Sequence, residues 1–257
     1  MKNKSKNKKL LDFIISFLII VYVLIRIFFV QFFFQNKIIY GNITYRFNSK
    51  SLYTSSITEN KIKAFLDKTT NSITENPFYD KNVKVDICFC SSRRQYAFWN
   101  PLTAFRGSLA TATNLFSCHN IMLSNPDFET FEVSFKNVST RKINDIISHE
   151  MTHCFLREKY NFFKRLNILP KWKEEGIAEA IASSSTYEIA KGVDNLLAGV
   201  KDKSPTYNYF KYRLCVLYLQ KEKNMSFSQI IDSKEKYSAI VNEIKKYSRE
   251  EILNWFD

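Results

Sequence analysis

The chain has 257 residues, 45% hydrophobic and 25% charged, with a net charge of +13 at neutral pH. That length suits one domain with a proper core. Its five glycines form neither a phosphate-cradling loop nor a Gly-x-Ser-x-Gly elbow, so nucleotide binding and serine hydrolysis lose their usual signals.

Lys2, Lys4, Lys6, Lys8 and Lys9 open the chain with no acid among the first nine residues. An almost wholly apolar run follows over residues 10–34, its charged residues being Asp12 near its edge and Arg26 off centre. As a helix it would span about 37 Å, against a hydrocarbon core of about 30 Å. Gln35 to Ile38 offers no small-residue cleavage site. The expected organisation is a basic cytoplasmic tail over 1–9, an uncleaved transmembrane signal anchor over 10–34 and one domain over 36–257. The lysines would stay inside, so the domain would lie on the extracytoplasmic side of the cell membrane. The remaining positive charge suits anionic headgroups, cell-wall polymers or a solvated surface, while no basic–aromatic module points to nucleic acid.

Residues 83–89 alternate like a strand. Cys88 and Cys90 fall on one face of it, and Cys118 lies in the same half, so an exterior compartment permits one bridge among the three. Beyond Thr140 the periodicity turns helical, over 142–158, 174–190, 209–221 and 236–246. A sheet followed by helices is an α+β arrangement.

Two of the three histidines fall in Ser148-His149-Glu150-Met151-Thr152-His153. Random placement would produce H-E-x-x-H about 0.002 times in such a chain. Residues four apart share a helix face, so His149 and His153 can aim two imidazoles at one metal ion with Glu150 beside it. Catalytic zinc sites have three protein ligands and one open position. The candidate third donors are His119 upstream and Glu158, Glu174, Glu175, Glu179 and Asp194 downstream. Glu175 begins a run of small and apolar residues that can approach a neighbouring helix closely. Glu179 lies one turn on and can accept the free ring N–H of a histidine ligand. Glu174 is rotated by about 100° and reads as solvated. Cys154 points away from the site, into the core.

Trp172-Lys173-Glu174-Glu175-Gly176-Ile177-Ala178 together with the H-E-x-x-H resembles the gluzincin metallopeptidases, the thermolysin and zinc-aminopeptidase group. The resemblance implies a zincin-like α+β domain with an N-terminal mixed sheet, the active-site helix and a helical C-terminal part. It implies Zn2+ held by His149, His153 and Glu175, with Glu179 behind them and Glu150 as general base for peptide hydrolysis. The segment 209–219 resembles the helix that carries a transition-state-stabilising Tyr, which nominates Tyr209, with Tyr207 and Tyr212 as competitors. It also implies an edge strand beside the substrate, over 107–113 or 120–124. Two other functions remain open: a non-catalytic binding or assembly domain with a closed structural site, His119 serving as fourth donor, or a zinc amidase acting on cell-envelope material.

Overall fold

The structure is a computed structural model and describes residues 11–18, 20–22, 24, 34–48, 59–105, 108–115, 118–135, 139–160, 165, 168–183 and 187–256. Five strands form a mixed sheet: β1 (Asn36–Tyr40), β2 (Ile43–Phe47), β3 (Val85–Cys90), β4 (Ala110–Leu115) and β5 (Cys118–Ser124). Their spatial order is β1-β2-β3-β5-β4, with β2, β3 and β5 parallel and the two edge strands antiparallel to their neighbours. Parallel neighbours need a crossover. Helix α1 (Glu59–Thr74) supplies it between β2 and β3, while the short α2 (Arg93–Trp99) and α3 (Pro101–Phe105) precede β4. A two-stranded hairpin, β6 (Glu132–Phe135) and β7 (Ser139–Lys142), runs straight into α4 (Ile143–Lys159).

Strand β3 shows why the sheet is covered on both faces. Val85, Ile87 and Phe89 face the main core, whereas Cys88 and Cys90 join Phe34, Tyr96, Trp99 and Met122 in a smaller cluster under α2. Side chains alternate between faces along a strand, so both sets must be apolar. Cys90 is a buried thiol outside any disulfide, and burial pushes its pKa up to about 12. The side chain of Cys118 lies outside the described residues.

The C-terminal part is helical: α5 (Lys171–Ala182), α6 (Ile189–Leu197), α7 (Pro205–Lys221), α8 (Phe227–Asp232), α9 (Tyr237–Ile244) and α10 (Arg249–Asn254). The helix expected over 174–190 is two elements, because Ser183 adopts a left-handed conformation (φ 54°) that ends α5. Helix α4 is enclosed on nearly all sides, from Ile143 through Leu156, and its buried set includes the polar residues Ser148, His149, Thr152 and His153. Gly176 lets α5 and α7 touch. A Cβ there would stand 2.9 Å from Val216 Cγ2 and closer still to the Tyr212 carbonyl. Glycine at this position thus serves α7 rather than α4.

The transmembrane anchor is a correction. Among the described residues no helix is long and apolar enough to cross a membrane. Within 10–34, residues 10, 19, 23 and 25–33 lie outside the described residues. The single-pass topology, the membrane as partner and the extracytoplasmic placement rested on that helix and fall with it. The basic tail over 1–9 lies outside the described residues.

Because the Gly176 contact is with backbone, Gly176→Ala must push two helices apart. The expected loss of stability is about 1–3 kcal/mol, read from denaturant unfolding; an unchanged midpoint would refute this packing.

Candidate metal centre

Helix α4 presents His149 and His153 one turn apart, and α5 crosses it with Glu175 at the crossing. The two Nε2 atoms stand 3.1 Å apart. Glu175 Oε2 lies 3.4 Å from each of them. Among the described residues these three side chains form a group that can hold a metal ion. The donor set fits a cation on its own chemistry. Two ring nitrogens facing each other can share at most one proton, and the carboxylate adds negative charge to the same point.

Each histidine is held from behind. His149 Nδ1 lies 3.1 Å from Glu179 Oε1 in a bent contact rather than an aligned hydrogen bond. His153 Nδ1 lies 3.2 Å from Glu174 Oε1. Glu174 is therefore not the solvated residue its helical angle suggested: its side chain is 16% exposed, and Arg165 Nη2 comes within 3.6 Å. Glu179 in turn accepts both arms of Arg141, at 3.0 and 3.3 Å. Nothing in the pattern around Arg141 or Arg165 marks either one, since a lone arginine 8 residues before His149 or 12 after His153 has no spacing signature.

The electrostatics follow from four carboxylates around two imidazoles. Burial alone would lower the His153 pKa, yet Glu174 and Glu175 outweigh it and push it up to about 10. His149 is raised as well, with Glu179 and Glu175 overcoming burial. Burial opposes ionisation of Glu175 and Glu179, but the histidines, and Arg141 for Glu179, hold both below the usual carboxylate range. A dication at the three donors would answer this concentration of negative charge.

Glu150 lies on α4 between the histidines, and its Oε2 accepts the Ala112 N–H at 2.8 Å. Arg157 Nη1 donates to the Ala112 carbonyl at 2.7 Å. Strand β4 is thus the edge strand beside the centre, while β5, the other candidate, is interior. Burial, then Glu175, Glu150 and Glu179, raise the Tyr209 pKa, so its hydroxyl stays protonated at neutral pH. Burial and Glu175 raise Tyr212. Tyr207 belongs elsewhere: its ring packs on Tyr187 and Phe210, and burial with Tyr187 and Asp202 pushes it up to about 12. His119 is buried on β5 against Glu158 Oε2 at 3.4 Å, outside the three-donor group. Asp194 pairs with Arg249 at 2.6 Å. In comparisons with known proteins, the chain matches no family model and no curated sequence.

Metal affinity should rank the two adjacent carboxylates. Glu175→Ala removes a donor and should abolish tight binding, while Glu174→Ala removes only the His153 prop and should weaken it by about 10–100-fold. Titration calorimetry of the chelator-treated protein checks this, and equal affinities in the two variants would contradict the assignment.

Proposed function

We propose that the centre binds zinc and that the protein is a metallopeptidase of the gluzincin type. The observation that carries this reading is the triangle of two imidazole nitrogens and one carboxylate oxygen with edges of 3.1, 3.4 and 3.4 Å. Zinc bonds of about 2.0–2.1 Å in a tetrahedron require donor separations of about 3.3 Å. Two histidines and a glutamate also leave a fourth position open, the pattern of catalytic rather than structural zinc. The Trp172 to Ala178 sequence and the H-E-x-x-H favour the same group. His119 is engaged by Glu158, so nothing favours a closed four-donor site.

The chain's own residues have separable tasks. His149, His153 and Glu175 would hold the ion, which when bound supplies a Lewis acid and a water whose pKa falls towards about 7. Glu150, beside the donors but not among them, takes a proton from water and delivers it to the leaving amine. Its carboxylate is aimed by the Ala112 N–H, which fixes one oxygen and leaves the other for the site. Tyr209 offers a protonated hydroxyl to the tetrahedral oxyanion. Strand β4 supplies an edge along which a peptide backbone can pair on either side of Ala112, whose N–H and carbonyl Glu150 and Arg157 hold.

Glu150→Gln keeps the shape and the donors. It should retain zinc yet lose casein cleavage that the wild type shows and a chelator abolishes. Cleavage persisting in that variant would overturn the mechanism. Tyr209→Phe should lower kcat by about 10²–10³-fold with zinc affinity unchanged. A full rate in steady-state assays would remove Tyr209 from the chemistry.

A further inference from the structure

Arg141 lies two residues ahead of α4, on β7, and belongs to none of the motifs that mark the centre. Its guanidinium reaches 38 residues along the chain to grip both oxygens of Glu179, Nη1 to Oε1 at 3.0 Å and Nη2 to Oε2 at 3.3 Å. Both side chains are nearly closed to solvent, 10% and 5% exposed. The same Glu179 Oε1 lies 3.1 Å from His149 Nδ1. A carboxylate on a glutamate turns freely about its last bond, and a two-pronged contact from one planar cation removes that freedom.

We propose that Arg141 is a positioning residue for the metal centre, acting through Glu179 to set the plane and tautomer of His149. This rests on the zinc reading above. With Glu179 fixed, Nδ1 faces a carboxylate and carries the ring proton, so Nε2 presents its lone pair to the ion. The anchor at the other end is rigid. Val133, opposite Arg141 in the hairpin, is fully buried, and the Ile143 N–H is bonded to the Phe131 carbonyl at 2.9 Å. Hairpin, α4 and α5 are thereby tied to one point, with His149 at the meeting of the two helices. The matching contact behind His153 is looser, since Arg165 stands 3.6 Å from Glu174 with its side chain 25% exposed. The carboxylates behind the two histidines are thus held with different stiffness, and Glu179 is the better fixed.

The test uses the full chain, freed of metal and titrated with zinc. Arg141→Gln should weaken zinc binding by about 10–100-fold and alter the visible absorption of the cobalt-loaded protein, which reads ligand geometry directly. Arg141→Lys keeps the charge but cannot fork, and should still bind zinc about tenfold more weakly than the wild type. In a Glu179→Gln background, Arg141→Gln should add little, because the residues act as one unit. Melting of the metal-free variants monitors the fold, and Arg141→Lys carries the test if Arg141→Gln does not fold. Unchanged zinc affinity and cobalt spectrum in the Lys variant, whatever its melting temperature, would reduce Arg141 to a structural residue and overturn the proposal. A wild type that binds no zinc would instead defeat the reading on which it rests.

Discussion

The structure depends on one crossing, that of α4 over α5, where two imidazole nitrogens 3.1 Å apart meet a carboxylate oxygen 3.4 Å from both. Groups of that kind do not gather by themselves in a protein interior. Desolvating an acid and two bases costs several kcal/mol unless charges and hydrogen bonds compensate. The surroundings supply that compensation: Glu174 behind one ring, Glu179 behind the other, and arginines behind both acids. The packing that holds the crossing is apolar and tight, with α4 enclosed and Gly176 allowing α7 to press on α5 from the far side.

The sheet contributes the remaining wall. Its central strands are buried on both faces, which fixes the register of β5 and, through it, of the edge strand β4. Ala112 on that edge is paired by side chains of α4 instead of another strand, Glu150 at its N–H and Arg157 at its carbonyl. An exposed edge is normally a hazard for aggregation. Here the helix that carries His149 and His153 occupies it at Ala112.

Much of the centre was legible in the sequence, and for a physical reason. His149, Glu150 and His153 are related by helical geometry alone, which spacing encodes fully. Glu175 and Glu179 follow from the same rule on a second helix. Glu174 was misjudged because the rule describes one helix in isolation. A residue turned by about 100° still faces a partner that crosses close by. Arg141 and Arg165 were invisible because their roles come from tertiary contacts with no local period. The anchor over residues 10–34 shows the opposite error. Composition suggested a span, but a span needs a continuous apolar helix, and the described residues contain none long enough.

The most direct test of the centre is the zinc-edge X-ray absorption spectrum of the protein loaded with one equivalent of zinc. The account predicts a first shell of nitrogen and oxygen only, at about 2.0–2.1 Å, with the multiple scattering of two imidazoles. A sulfur shell near about 2.3 Å, or an ion without imidazole scattering, would contradict it.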